Sequence, residues 1–380
     1  MTEQKPRLLP LAGIKVLDFS TLLPGPMASL MLAEAGAEVI KVERPGVGED
    51  LRHYEPKWGR DAVGFALLNR GKKSLALDLK DKRQLSLLEP LLRQTDVVLE
   101  QFRPGVMDRL GLGYAALKGF NPRLIYCSIS GYGQAGPKSQ VVGHDLNYIG
   151  DTGLLALNPG RPRRPSVPPV LAADLAGGSY PAVVNILLAL LQRQKTGEGC
   201  HIDVSMTDNM FMLMSWALGQ SLVTGKWPNP GRELLTGGSP RYHIYPAADG
   251  RHVAVAALEQ KFWETFCAII ELPAELRDDK ADARATIDKV SEIIAARPAA
   301  HWKAAFFGKD CCCSVVATLE EAMHEPHFHI RGLFDHTIVN EDGEDLPAIP
   351  VAIAPALRVD AQTVRSAPAL GAHNDELLKR

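Results

Sequence analysis

The sequence has 380 residues, of which 46% are hydrophobic and 23% charged, so it can bury a large core in two domains or in one elaborated domain. Its 42 basic and 44 acidic residues nearly balance, which argues against a nucleic-acid-binding protein or one that binds an anionic membrane surface. No stretch resembles a signal peptide or a membrane span, and the six cysteines form no C-x-x-C pair, so we expect a reduced, cytoplasmic setting without membrane association.

In chain order, the first strong pattern is a strand, a turn, a helix and a second strand. Residues 14–19 predict the first strand, Pro24-Gly-Pro the turn, residues 27–35 the helix and residues 38–43 the second strand. Such a βαβ unit belongs to a parallel sheet. The turn lacks the G-x-G-x-x-G spacing, so the pattern predicts a Rossmann-like topology without a dinucleotide fingerprint.

Further strands are predicted at 74–78, 96–100, 124–129 and 201–205, with helices at about 82–93 and 179–193. Basic residues and glycine turns recur just after these strands. Each basic residue taken alone is most simply a solvated surface charge. In open α/β sheets, however, ligands bind at the ends of the strands, and guanidinium groups hold phosphates well, so the recurrence indicates an anion-binding edge.

Two residues suited to proton transfer stand out in the middle of the chain, His144 and Asp174. They are thirty positions apart, so only the fold can bring them together. An imidazole opposite a carboxylate suits a reaction that needs one base and one acid on opposite faces of a carbon. The structural alternative is that His144 starts a helix and Asp174 is a helix N-cap.

The second half of the chain begins with a methionine-rich helix at 206–214, which suits core packing or an adaptable wall for acyl chains. A Gly/Pro-rich linker at 228–240 then leads to a hairpin around Asp249-Gly250 and to helices up to about residue 307. We expect a buried structural role for Cys311–Cys313.

Three histidines near the end of this region, His324, His327 and His329, superficially resemble a metal cluster. Pro326 interrupts them, and no cysteine or acidic residue follows at a fitting spacing. We therefore predict no metal site.

Together these segments resemble the family III CoA-transferases, the CaiB/BaiF group, from Leu11 to about Phe334. The resemblance rests on six motifs: Pro24-Gly-Pro, Val42-Glu-Arg-Pro-Gly, Phe102-Arg-Pro-Gly-Val-Met-Asp-Arg-Leu-Gly-Leu-Gly-Tyr, Gly131-Tyr-Gly, Asp174-Leu-Ala-Gly-Gly-Ser and Asp249-Gly-Arg-His-Val-Ala-Val. It implies an α/β fold and an interlocked homodimer. The large Rossmann-like, CoA-binding domain would cover 1–225, completed by about 331–380, and a smaller α+β domain would cover 226–330.

Within that family, Gly143-His-Asp-Leu-Asn-Tyr is similar to the motif of the α-methylacyl-CoA racemases, whereas the transferases generally lack this histidine. The resemblance implies that His144 and Asp174 interconvert (R)- and (S)-2-methylacyl-CoA through an enolate. Glu259 would support the imidazole, and the backbone N–H of Asp145 would face the enolate oxygen. No metal or cofactor is then needed beyond the CoA moiety of the substrate.

The resemblance also predicts a set of residues around the CoA moiety. Its members are Arg44, Lys80, Gln101, Phe102, Arg103, Arg109 and Tyr148, with Lys72, Lys73 and Arg52 as weaker candidates suggested by charge and position alone.

Two other functions stay open. In a CoA-transferase, Asp174 would attack an acyl-CoA and carry first the acyl group as a mixed anhydride and then CoA as a thioester, with His144 a bystander or a positioning group. Ala173-Asp-Leu-Ala is closer to the transferase motif than to the racemase motif. A non-catalytic acyl-CoA-binding protein is the third possibility. The sequence leaves the acyl chain and the metabolic direction open.

Overall fold

The computed structural model describes residues 8–160 and 165–378, which divide into two compact units. The first unit comprises the described residues of Met1–Thr152, Val170–Leu213 and His329–Arg380. The second comprises those of Gly153–Pro169 and Met214–Phe328. The second unit therefore begins before the predicted residue 226 and also takes in the segment 153–169.

The strands are β1 (Lys15–Asp18), β2 (Glu38–Glu43), β3 (Lys57–Trp58), β4 (Asp61–Ala62), β5 (Lys73–Ala76), β6 (Val97–Glu100), β7 (Ile125–Ser130), β8 (His201–Ser205), β9 (Tyr242–Pro246), β10 (His252–Ala256), β11 (Cys313–Val315), β12 (Thr337–Val339) and β13 (Asp345–Pro347). The α-helices are α1 (Pro24–Glu34), α2 (Val63–Asn69), α3 (Lys82–Ser86), α4 (Glu89–Arg93), α5 (Val106–Arg109), α6 (Tyr114–Lys118), α7 (Asp145–Asp151), α8 (Leu154–Leu157), α9 (Tyr180–Thr196), α10 (Met206–Leu213), α11 (Ser215–Thr224), α12 (Gln260–Ile269), α13 (Ala283–Ala295), α14 (Ala299–Phe306), α15 (Leu319–Met323), α16 (Pro326–Ile330) and α17 (Asn374–Leu378). Short 3₁₀ turns lie at Asp50–His53, Leu234–Thr236, Ala274–Leu276 and Pro355–Leu357, and a π-helical stretch, Ala173–Ser179, runs directly into α9.

A six-stranded parallel sheet forms the centre of the first unit, in the order β5-β2-β1-β6-β7-β8. Strands β6 and β7 are buried along their whole length, as expected of a parallel sheet covered on both faces. The predicted α/β fold with a parallel sheet is thereby confirmed. The strand order reverses between β1 and β6, and in such sheets a crevice opens at the carboxyl ends of the strands at this point.

Proline accounts for two differences between the predicted and observed helices. α1 begins at Pro24 instead of residue 27, because proline suits the first turn, where its missing N–H is not needed. The predicted helix at 82–93 divides into α3 and α4, because Pro90 has no N–H with which to continue the hydrogen bonds of α3.

The second unit is built on a three-stranded antiparallel sheet in the order β11-β10-β9. β9 and β10 confirm the hairpin predicted around Asp249-Gly250, with Val253 opposite Tyr245. Trp263 and Phe266 of α12 are fully buried against this sheet. Cys311 is also buried, just before β11, and Cys313 is partly buried, but Cys312 is exposed, so the buried role expected for the cysteine run does not hold for Cys312.

The π-helical stretch and α9 together form one helix over Ala173–Thr196, long and apolar enough to span a membrane by length and composition alone. Core helices of soluble proteins have the same character. In the first unit this helix packs against α1, β7 and β8, and 39% of its most apolar window is buried.

A buried network of charges contacts the first turns of α1. Asp18, at the end of β1, accepts hydrogen bonds from Ser20 and Ser29 and lies 3.4 Å from the Lys72 ammonium. Lys41 pairs with Glu49 at 3.1 Å. Burial lowers the pKa of the Lys72 ammonium to about 7, and the Asp18 carboxylate opposes that fall. Removing one member of such a network leaves a buried charge without compensation.

We therefore expect Asp18→Asn to destabilise the protein by about 3 kcal/mol, measured by urea unfolding at neutral pH. The matched control is Glu89→Gln, which removes an exposed ion pair with Arg93. That change should cost less than about 1 kcal/mol. Equal effects of the two substitutions would contradict the stabilising role of the network.

Candidate active site

A cavity of about 570 Å³ lies in the first unit at the point where the strand order reverses. Its walls come from the loops after β1 and β6, the end of β7, the start of α7 and the first residue of α10. His144 and Asp174 both line it. The fold thus brings together the two residues that sequence reasoning singled out thirty positions apart.

His144 is the N-cap of α7, as the structural alternative for this residue proposed, and its side chain is exposed. Its backbone N–H donates to the side chain of Asn147 at 3.1 Å, which fixes the start of the helix. Tyr148 is buried one turn further on, and its hydroxyl donates to the carbonyl of Gly143. Because of these contacts, the imidazole projects from a well-anchored helix start.

Asp174 lies in the first turn of the helix that begins at Ala173, and the N-cap is Ala172, so the alternative of Asp174 as an N-cap is wrong. The glycines that follow it have a steric reason. A Cβ at Gly177 would lie 2.4 Å from the carbonyl oxygen of Met206, so only glycine lets this helix approach α10 so closely.

The carboxylate of Asp145 joins these two helix starts. It is 4% exposed, and one of its oxygens accepts hydrogen bonds from the N–H groups of Ala173 at 2.6 Å and Asp174 at 3.0 Å. Sequence reasoning assigned a role only to the backbone N–H of this residue. Nothing in the local pattern indicates a side-chain contact 28 residues away.

The surroundings of Asp174 favour its protonated form. Burial raises the pKa of its carboxyl to about 6, the Asp145 carboxylate adds to the rise, and the His144 imidazole opposes it. A carboxyl group of this kind can both give and take a proton near neutral pH.

Four of the residues predicted to surround CoA line the same cavity, namely Gln101, Phe102, Arg103 and Tyr148. Gln101 also accepts a hydrogen bond from the N–H of Gly25 at 3.0 Å, which ties the loop after β6 to the start of α1. Three further predicted residues, Arg44, Lys80 and Arg109, have exposed side chains outside the cavity lining. Arg44 pairs with Asp50.

The weaker candidates have partners inside the unit instead. Lys72 is fully buried, with its ammonium bound to Ser29, Asn69 and Asp18. Arg52 is 4% exposed and pairs with buried carboxylates. Lys73 bridges Glu38 and Glu376. Charge and position alone do not distinguish such internal cations from those that face a ligand.

Leu22 lines the cavity and was missed in the sequence. Leu22 adopts a left-handed backbone conformation, with φ of 63°, and its N–H donates to Glu49 at 2.7 Å. The buried charge network therefore supports this wall of the cavity. Met206 lines the cavity and Met210 is buried, whereas Met212 is 65% exposed, so the methionine helix serves the core and the cavity together.

Glu259 belongs to the second unit, where it is the exposed N-cap of α12. Its predicted support of His144 stays a prediction. Within residues 8–160 and 165–378, no three His, Cys, Asp or Glu side chains are grouped so as to hold a metal ion.

Comparison with known proteins places the chain in a family. The family model for CoA-transferase family III matches residues 11–374. The chain belongs to CoA-transferase family III. This confirms the resemblance found in the sequence.

Members of this family with different activities are similar to the chain. It is 36% identical to human alpha-methylacyl-CoA racemase, over 97% of this chain and 92% of that protein. It is 31% identical to human succinyl-CoA:glutarate CoA-transferase, over 97% of this chain and 85% of that protein. A solved CaiB/BaiF family protein from Brucella suis superposes with a TM-score of 0.81 at 27% identity, covering 98% of this chain and all of that one.

The raised pKa of Asp174 in this family III protein has a consequence for stability. Its ordinary value is 3.8 and its folded value about 6, so the ionised form is disfavoured in the folded state. This cost is absent below about pH 4, grows between about pH 4 and pH 6, and is complete above about pH 6. We therefore expect the stability of Asp174→Asn relative to the parent to be about 2 to 3 kcal/mol greater at pH 8 than at pH 4, measured by urea unfolding.

Asp151→Asn is the matched control on α7. Hydrogen bonds from Lys138 and Tyr132 lower the pKa of this exposed carboxyl, so its substitution should produce the opposite dependence on pH. A gain from Asp174→Asn that does not change with pH would show that Asp174 titrates at its ordinary value.

Proposed function

We propose that this family III enzyme is a 2-methylacyl-CoA racemase, which interconverts the (R)- and (S)-epimers by removing and returning the α-proton. The observation that carries the proposal is the placement of His144 and Asp174 in one cavity, with the pKa of Asp174 raised to about 6. A racemase needs two groups that can each act as base or acid, and two groups of this kind line the cavity.

The chemistry follows from the acidity of the carbon beside a thioester carbonyl. One group takes the α-proton, the electron pair of the C–H bond forms a carbon–carbon double bond, and the π pair of the carbonyl moves onto its oxygen to give an enolate. The other group then donates a proton to the opposite face of the carbon. His144 and Asp174 exchange these roles according to the epimer that binds.

Stabilisation of the enolate oxygen is assigned to the backbone N–H of Asp145. This N–H lies in the first turn of α7, where helix N–H groups have no partner within the helix. A donor aimed at a developing oxyanion is a large contribution to catalysis of this type. Glu259 is proposed to come from the partner subunit of the homodimer and to hold the His144 imidazole in a productive tautomer.

The CoA moiety is assigned to the rim and floor of the same cavity. Arg103 supplies an exposed guanidinium, Phe102 an apolar surface, and Gln101 and Tyr148 polar groups. Arg44, Lys80 and Arg109 are assigned to the phosphates outside the cavity. An interlocked homodimer and the absence of a cofactor beyond CoA complete the proposal.

The second candidate function is CoA transfer between carboxylic acids through Asp174. It is favoured by relatives such as the acetyl-CoA:oxalate CoA-transferase of Acetobacter aceti, at 33% identity over 91% of this chain. A transferase, however, uses Asp174 as an ionised nucleophile, and surroundings that favour the protonated carboxyl work against that role.

We expect the enzyme to incorporate deuterium at the α-carbon of a single epimer of a 2-methylacyl-CoA in D2O, with loss of optical purity and without any acceptor acid. His144→Ala and Asp174→Asn should each reduce the rate by about 10²- to 10⁴-fold, because each removes one proton-transfer group. Mass spectrometry and chiral analysis provide the measurement. His324→Ala, which removes an exposed imidazole in the second unit, is the control and should keep the parent rate.

A second measurement separates the two functions. The enzyme is incubated with acyl-CoA and a panel of carboxylic acids, and we expect neither transfer of CoA nor an acyl adduct on Asp174 at rates comparable with deuterium exchange. The racemase proposal would be overturned if His144→Ala transferred CoA at the full rate and the parent enzyme exchanged no α-proton.

A further inference from the structure

The carboxylate of Asp145 is bound in an unusual way for a residue of a helix first turn. Its Oδ1 accepts hydrogen bonds from the N–H groups of Ala173 at 2.6 Å and Asp174 at 3.0 Å, so it caps the helix that begins at Ala173. These N–H groups lie in the first turn of the helix from Ala173, where they have no partner within that helix. Asp145 itself directly follows His144 in the chain.

We propose that the Asp145 side chain is a positioning residue of this site, which holds Asp174 in the cavity lined by His144 and acts on it as a fixed negative charge. The inference rests on the proposed function for its catalytic meaning. It gives this residue a second role, distinct from that of its backbone N–H.

The geometry limits how the two catalytic groups can move. His144 precedes Asp145 by one residue, and Asp174 donates its own N–H to the Asp145 carboxylate. A displacement of α7 therefore displaces the backbone of Asp174 as well. Because the carboxylate is 4% exposed, water competes little for these hydrogen bonds, and their loss would leave buried N–H groups without an acceptor.

The charge of Asp145 has an effect separate from its position. Asp145 is buried and Asp174 half-buried, and two neighbouring carboxyl groups in such surroundings resist being ionised together. Burial is the larger cause of the raised pKa of Asp174, and Asp145 is the next. His144 opposes the rise, and Asp174 in turn interacts with Tyr148, which also faces Arg103.

Asp145→Asn separates the two effects. An asparagine keeps an oxygen that can accept the N–H groups of Ala173 and Asp174, but it carries no charge. The pKa of Asp174 should then fall, and in the proposed racemase the acid limb of the pH profile of kcat/KM should move in the same direction, because it reports the protonation of this pair.

The experiment is a titration of the Asp174 carboxyl by ¹³C NMR in protein labelled at the aspartate carboxyl carbons, with the signal assigned by its absence in Asp174→Asn. We expect the midpoint to fall by about one pH unit in Asp145→Asn and to return towards the parent value in Asp145→Glu, which restores the charge. Asp151→Asn, which removes a carboxylate from the exposed side of the same helix, should leave the midpoint unchanged.

The acid limb of α-proton exchange is then followed in the same variants and should shift with the midpoint. An unchanged midpoint in Asp145→Asn would overturn the inference. Should that variant fail to fold, Asp145→Ser also removes the charge while keeping an oxygen acceptor, and the same criterion applies. The NMR titration does not depend on turnover. If the parent enzyme shows no α-proton exchange, the proposed racemase is refuted, and the titration midpoint of Asp174 still decides the role of Asp145.

Discussion

Two hydrogen bonds to one buried carboxylate hold the candidate site together. The N–H groups of Ala173 and Asp174 donate to Asp145, which directly follows His144. The rest of the first unit makes this contact possible. The parallel sheet places the loops after β1 and β6 beside the start of α7. Gly177 lets the helix that carries Asp174 pack closely against α10.

The scaffold of the first unit was largely predictable, because its signals are local. Apolar runs between glycine and proline turns identify β1, β2, β6 and β7, and buried parallel strands require such runs. His144 and Asp174 were predictable as a pair because both are proton-transfer residues in glycine-rich motifs. What the sequence could not give was their contact through Asp145, since its partners lie 28 and 29 residues away.

The errors concern residues whose type does not determine their environment. Lys72 follows a glycine in a basic stretch, which predicts a surface cation, yet its ammonium is buried against Asp18 of β1, Ser29 of α1 and Asn69 of α2. The left-handed conformation of Leu22 has no sequence signal, because leucine rarely adopts it, and the Leu22 N–H is bound to Glu49, which is 27 residues away. Both depend on contacts distant in sequence.

Racemase and transferase chemistry place opposite demands on Asp174, and this makes its environment informative. A nucleophile must be ionised, whereas a partner in two-base proton transfer must spend part of its time protonated. A half-buried carboxyl beside a buried carboxylate meets the second demand and destabilises the folded protein in doing so. The buried apolar strands of the parallel sheet supply stability away from this point. In the proposed racemase this carboxyl has a use that offsets its cost to the fold, because proton transfer needs a group that is partly protonated near neutral pH whereas nucleophilic attack does not.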